Sequence, residues 1–297
     1  MSTARVRATA FPKLTLSLRV LGRRADGFHD IDALVVSLGQ PHDVLEAYAV
    51  PAPGGVRIEL GPSDTNDDIP TDHTNLAFIA AEKLMVRAGR SGHGVRLVLR
   101  KRIPAGAGLG GGSADAAAAL LAVRRLLEMD VDDAAVREIA ADVGSDVPFC
   151  LTGGAAWMRG RGEIIEPLDL TRGLAFLVAI PPFRLATPAV YAAWDELGGP
   201  VAQRSVPAPR RVAGLVPDLA NDLEPAAEAV EPRLVEFRAA LEATTGRPAL
   251  LAGSGSAYVV PVPDARLLPE LVQKVGQRMR VPVVGTTSVS RGVRLDR

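Results

Sequence analysis

The sequence predicts an α+β protein of two domains, and three observations carry the prediction. The 297 residues exceed what one hydrophobic core comfortably organises, since single cores rarely grow beyond roughly 250–300 residues. Apolar periods of two and of 3.6 residues alternate along the chain without a regular βαβ repeat. A glycine-rich bend at residues 106–112 runs into two successive helical patterns, where a doubly wound sheet would return to a parallel strand. The expected division is residues 1–160 and 161–297.

In the first half, "KLTLSLRVLG" alternates Leu14, Leu16 and Leu18 with Thr15, Ser17 and Arg19, the period of a half-buried strand. A turn at Asp26-Gly27 and the apolar run "IDALVVSL" make the opening a hairpin. "VRIEL" is a short strand. "TNLAFIAAEKLMVRAG" is a helix capped by Thr74 or Asn75 and stopped by Gly89. "GVRLVLRKRIP" is a strand ending at Pro104, followed by the helices "SADAAAALLAVRRLLEM" and "DDAAVREIAADVG". In the second half, "LAFLVAIPP" is a strand and "PAVYAAWDEL" a helix, and a Pro/Gly/Arg-rich segment from Gly198 to Pro217 is expected to be a mobile surface loop. Helix "PRLVEFRAALEAT", strand-turn-strand "PALLAGSGSAYVVPV", helix "ARLLPELVQKVGQRM" and a last strand "VPVVGTTSVS" complete the reading.

Basic and acidic residues balance at 34 each, so no net field draws the protein to nucleic acid or an anionic membrane. One cysteine, Cys150, excludes an internal disulfide framework. The start lacks the apolar core of a secretory signal, so a soluble cytoplasmic protein is expected. Only four of the 34 basic residues are lysines, Lys13, Lys83, Lys101 and Lys274. In an arginine-biased chain, a retained lysine marks a place where a compact ammonium is wanted; Lys83 and Lys274, in helical patterns, read as surface residues.

"PAGAGLGGGSADAAAALLA" places five glycines in seven positions and then begins a helix. Gly106, Gly108 and Gly111 satisfy G-x-G-x-x-G, but the second helix that follows disfavours a dinucleotide fold. A Walker loop needs a lysine that "GGGSAD" lacks, and the protein-kinase glycine loop belongs to a hairpin. What remains is an anion cradle, in which backbone N–H groups and the positive end of a helix dipole converge. Glycine admits phosphate oxygens to those amides and permits positive φ. Ser113 stands at the helix start and Asp115 in its first turn; the plain alternative is a flexible loop with Ser113 as N-cap.

With "PKLTLSLRVLGRRADGFHDIDAL", "VGSDVPFCLTGGAAWMRGRGE" and "LLAGSGSAYVV", the glycine stretch resembles the GHMP kinase superfamily over Lys13 to Ser256. The resemblance implies a ribosomal-protein-S5-like N-terminal domain that binds ATP and a ferredoxin-like C-terminal domain that binds substrate. It implies transfer of the ATP γ-phosphoryl, with Mg²⁺, to the 2-hydroxyl of 4-diphosphocytidyl-2-C-methyl-D-erythritol, a step of the non-mevalonate route to isoprenoid precursors. Asp146 matches the catalytic aspartate and Lys13 its partner. Pro104, Gly106, Gly108, Leu109, Gly110, Gly111, Gly112 and Ser113 match the phosphate loop, with Ser113 a candidate metal contact. Lys101 is expected near the nucleotide and Asn75 beside the adenine, or simply as a helix cap.

By the same resemblance Phe28 and Tyr191 sandwich the cytosine and His29 reads its edge, with Thr15, Thr187, Gly253 and Ser254 close to the substrate. Without that company Asp146 is a turn residue ahead of Val-Pro, and Gly253 to Ser256 a tight turn. Thr15 stands where the family usually has asparagine, Pro12 and Ala252 replace an alanine and a hydroxyl residue, and Phe28 replaces a tyrosine. Thr15 motivates the alternative of a kinase for another small alcohol. A nucleotide-binding regulator without turnover is the other alternative.

Overall fold

The computed structural model describes residues 4–63, 68–170, 173–199, 211–212 and 220–296. The chain opens with β1 (Arg5–Ala10), the hairpin β2 (Lys13–Arg23) and β3 (His29–Leu38), then β4 (Asp43–Val50) and β5 (Gly55–Leu60). Helix α1 (Leu76–Arg87), β6 (Gly94–Arg100), the glycine loop and helices α2 (Gly111–Leu126), α3 (Asp133–Val143) and α4 (Val147–Thr152) follow. Next come β7 (Ala155–Gly160), β8 (Ile164–Leu170), β9 (Ala175–Ala179), α5 (Thr187–Glu196), β10 (Arg211–Val212) and β11 (Ala220–Asn221). The remainder is α6 (Glu224–Val230), α7 (Arg233–Thr245), β12 (Leu250–Leu251), β13 (Tyr258–Val262), α8 (Leu268–Met279), β14 (Val283–Val289) and β15 (Val293–Leu295). Most of the expected segment from Gly198 to Pro217 lies outside the described residues.

A five-stranded sheet in the order β15-β1-β4-β6-β5 is antiparallel except for the β5–β6 pair. Helix α2 lies against β1 and β4 beside α1. Its alanines Ala114 and Ala116 to Ala119 are wholly buried, because methyl-sized side chains let a helix pack closely on every face.

The larger sheet runs β10-β8-β7-β3-β14-β9-β13-β12, with β2 on β3 and β11 on β2. Its strands alternate between two cores. Leu34, Val36 and Leu38 of β3 join the core of α1 and α2, whereas Ile31, Ala33 and Val35 join the core of α5 to α8. β7 and β9 divide likewise, which explains why these strands read as continuous apolar runs. Residue 160 is therefore not a gap in the hydrogen bonding: β14 pairs with β3, and β15 returns to β1.

β2 departs from the expected half-buried alternation, since Thr15 is also buried. A bulge between Thr15 and Ser17 adds a residue opposite β3, so Leu14 and Leu16 face the first core while Leu18 and Val20 face the second. The bulge lies two residues from Lys13, at the mouth of the cleft.

Candidate active site

A cleft of about 1050 Å³ runs between the two cores, from the glycine loop at one end to Phe28 and His29 at the other. Gly106, Gly108 and Gly110 take the expected left-handed conformations, with φ of 66°, 77° and 68°. The neighbour that excludes a side chain differs from the expectation at two of them. A Cβ on Gly108 would stand 1.8 Å from the Ala252 carbonyl oxygen, and one on Gly110 would stand 2.8 Å from Lys13 Cγ. Protein crowds those positions, and only Gly112, exposed in the first turn of α2, opens towards ligand space. Gly110 is the N-cap, with no side-chain cap bond, so Ser113 is the third helical residue and not the cap. The amides of that first turn are left to an incoming anion.

Lys13 enters the cleft at the start of β2, its own amide donating to the Leu109 carbonyl at 3.0 Å. Its Nζ lies 3.3 Å from Asp146 Oδ2 and donates to Thr15 Oγ1 at 3.2 Å. Asp146 precedes α4, yet its side chain caps nothing there. The backbone serves the turn while the carboxylate is free to meet the lysine, so the plain turn reading covers only half the residue. Gly253 (φ 57°) packs beside them; a Cβ there would be 3.3 Å from Lys13 Nζ.

Two glycine-rich segments are zipped together above this pair. Ser256 N donates to the Gly106 carbonyl at 3.1 Å and Ala257 N to that of Ala107 at 3.3 Å. Ser254 and Thr187 share a hydroxyl hydrogen bond of 2.8 Å, tying α5 to the second segment.

Lys101, expected near the nucleotide, lines the cleft with the glycine loop. It is buried beneath the loop, paired with both Asp43 and Asp115. Asp43 Oδ1 accepts from Ile103 N at 2.9 Å and so anchors the strand leading into the loop. Asp115 is a buried residue one turn further along α2 than expected, and its Oδ1 meets no partner. Burial pushes the Asp115 carboxyl up, against the pull of Lys101 and with a further push from Asp43. The two carboxylates in turn hold the Lys101 ammonium above its ordinary value although burial opposes it. Asn75 caps α1, accepting from Ala77 N at 2.9 Å and donating to the Pro70 carbonyl at 2.7 Å. Its cap role is thus the one visible, at the cleft wall.

At the far end His29 Nε2 lies 2.8 Å from Asp195 Oδ1. The imidazole stacks on Tyr191 at 4.8 Å and 28°, while Phe28, 47% exposed, lies under the Arg161 guanidinium at 5.0 Å. Phe28 and Tyr191, the expected aromatic pair, both line the cleft, each against a different neighbour. Burial, reinforced by the Asp146 carboxylate, pushes the Tyr191 phenol well above its ordinary value, which couples Tyr191 to the Lys13–Asp146 pair.

Three contributors were not read from the sequence. Asp195 was legible in principle, being one helical turn from Tyr191 on α5. Asn221, which donates to the carbonyls of Leu251 and Gly253 at 3.0 and 2.6 Å, carried no local signal. Asp43 is joined to Lys101 across 58 residues.

Fold and site together define a GHMP-type small-molecule kinase. The family "GHMP kinases N terminal domain" matches residues 75–154. The chain is 34% identical over 279 residues to a 4-diphosphocytidyl-2-C-methyl-D-erythritol kinase of Moorella thermoacetica, covering 91% of this chain and 93% of that one. It is 39% identical over 256 residues to the same-named kinase of Pelotomaculum thermopropionicum, covering 84% and 86%. A crystal structure of 4-(cytidine 5'-diphospho)-2C-methyl-D-erythritol kinase superposes with a TM-score of 0.74 at 32% identity, over 95% of this chain and 98% of that one. The chain belongs to the 4-diphosphocytidyl-2-C-methyl-D-erythritol kinase family of the GHMP kinases. ATP is the co-substrate of GHMP kinases. Among the described residues, no helix is long and apolar enough to cross a membrane.

Proposed function

We propose that the protein transfers the γ-phosphoryl of ATP to the 2-hydroxyl of 4-diphosphocytidyl-2-C-methyl-D-erythritol, in the non-mevalonate route to isoprenoid precursors. The observation that carries this is the Lys13–Asp146 pair, 3.3 Å apart at the junction of the glycine loop and the aromatic end of the cleft. The amides at the start of α2 bind the phosphates, and Asp146 takes the proton of the substrate hydroxyl as its oxygen bonds to phosphorus. The β,γ-bridging bond breaks and ADP leaves. Lys13 orients the Asp146 carboxyl group and offsets charge on the phosphoryl oxygens, and Thr15 fixes the angle of the ammonium. Phe28, His29 and Tyr191 take the cytidine; Thr187, Gly253 and Ser254 border the substrate. In this reading residues 1–160 bring ATP and residues 161–297 most of the substrate wall, on a shared sheet, in the cytoplasm where ATP is made available.

Mg²⁺ fits as an ion carried by the nucleotide. No cluster of three metal-ligating side chains occurs among the described residues, and both nearby carboxylates already face lysines. Mg²⁺ keeps several waters and is commonly held by substrate phosphates, so the Ser113 hydroxyl would be its protein contact. Its chemistry there is neutralisation of phosphate charge.

The test is phosphoryl transfer with 4-diphosphocytidyl-2-C-methyl-D-erythritol beside homoserine, mevalonate and galactose, with Asp146→Asn as control. Turnover of the cytidyl substrate alone, lost in the variant, is expected. Turnover of another alcohol would leave the catalytic pair standing and remove the pocket assignment.

A further inference from the structure

The His29 imidazole is held at one nitrogen only. Nε2 meets Asp195 Oδ1 at 2.8 Å, and Asp195 Oδ2 lies 3.7 Å from the Arg23 guanidinium. Tyr191 stacks on one face of the ring and Trp194 meets it edge-on at 5.5 Å. Tyr191, Trp194 and Asp195 stand at i, i+3 and i+4 of α5, so a single helical face clamps the imidazole. Nδ1 has no hydrogen-bond partner among the described residues, and the ring lines the cleft.

A carboxylate offers only lone pairs, so the proton between Asp195 and His29 belongs to Nε2. Whenever the ring carries that one proton, its other nitrogen is an acceptor. An acceptor in the cleft suits the exocyclic N4 amine of cytosine and opposes the O4 carbonyl of uracil. The geometry points to Asp195 as a specificity-determining positioning residue. It fixes His29 in the Nε2–H tautomer, and the pocket thereby selects an amino-bearing pyrimidine over an oxo-bearing one. This rests on the proposed function in one respect, that His29 meets the base.

The experiment compares kcat/KM for the 4-diphosphocytidyl substrate and its uridyl counterpart in the wild type and in Asp195→Asn, Asp195→Ala and His29→Ala. The wild type should prefer the cytidyl substrate about 10- to 100-fold, the scale of one base-edge hydrogen bond. An asparagine amide serves the ring nitrogen as donor or acceptor, so either tautomer stands in Asp195→Asn. Its preference should collapse towards unity, in part through a gain for the uridyl substrate. A merely structural Asp195 would lower both values together, and an unchanged ratio in Asp195→Asn and Asp195→Ala would overturn the inference. So would a wild-type ratio near one. If His29→Ala leaves the cytidyl kcat/KM untouched, the base contact itself fails, whereas a damaged His29→Ala with an intact ratio in both Asp195 variants removes Asp195 alone. Should a variant lose turnover, calorimetric affinities for cytidine and uridine diphosphate read the same ratio.

Discussion

Two lysine–carboxylate sites flank one glycine loop, and they use the same chemistry to opposite ends. Lys13 meets a single carboxylate at 3.3 Å, and the Asp146 side chain keeps 33% of its exposure. Lys101 meets two carboxylates, and its side chain and those of Asp43 and Asp115 are at most 4% exposed. An open, singly paired ion pair can exchange a proton with a substrate. A closed, doubly paired one has no such access and serves as a fastener between β4, the loop and α2. Burial and stoichiometry, rather than residue type, separate the proposed catalyst from the scaffold.

The strongest way to break this contrast is to remove the charge at each site in turn. Asp146→Asn should lower kcat by about 100- to 10,000-fold, the range of a general base. Its KM for ATP should stay within about twofold, since the phosphates meet backbone amides, and steady-state kinetics decides it. Lys101→Met should instead cost about 3–5 kcal/mol of stability by removing the charge partner of the buried Asp43, read from the urea midpoint. If Lys101→Met folded normally and lost turnover, the roles assigned to the two lysines would be reversed.

A subtler difference is in pH response. Folding raises the Asp115 carboxyl from 3.8 to about 8, so the folded state keeps a proton that the unfolded chain has released. Its stabilising share is complete below pH 3.8 and is lost as pH climbs towards 8. Asp115→Asn should therefore flatten the decline of the denaturation midpoint between about pH 5 and 8. An equally steep variant would place the titration elsewhere. The smallest effects concern the loop between the two sites. Gly110→Ala should displace the Lys13 stem and cost about 1–3 kcal/mol through overpacking and left-handed strain. Gly112→Ala, in open helical space, should gain up to about 1 kcal/mol in thermal unfolding while raising the KM for ATP.

What could be read beforehand was whatever depends on neighbours in sequence. The β2–β3 hairpin, the α1 cap at Asn75, the positive-φ glycines and the α2 start all follow from local pattern. The proposed catalytic pair was reached through motif resemblance, because Lys13 and Asp146 lie far apart in the chain and neither is unusual alone. β1, β4 and β15 were not read as strands, although Pro12, Pro41 with Pro51, and Gly292 stand at their borders, because turn signals mark where an element stops and not what it pairs with. The β2 bulge escaped because an inserted residue leaves the Leu14-Leu16-Leu18 spacing intact while turning its later members to the other core. His29 was named, but its partner Asp195, 166 residues away, was not, and that partner determines which ring nitrogen is offered.

The return of β15 to β1 bears on the order of assembly during synthesis. Residues 5–10 leave the ribosome long before the strand that covers their outer edge, 293–295. Until then β1 waits with unpaired amides and carbonyls, an invitation to pair with another chain. The five-stranded sheet thus stays unfinished until β15 has been made, and closing it is a long-range step of the kind that slows folding.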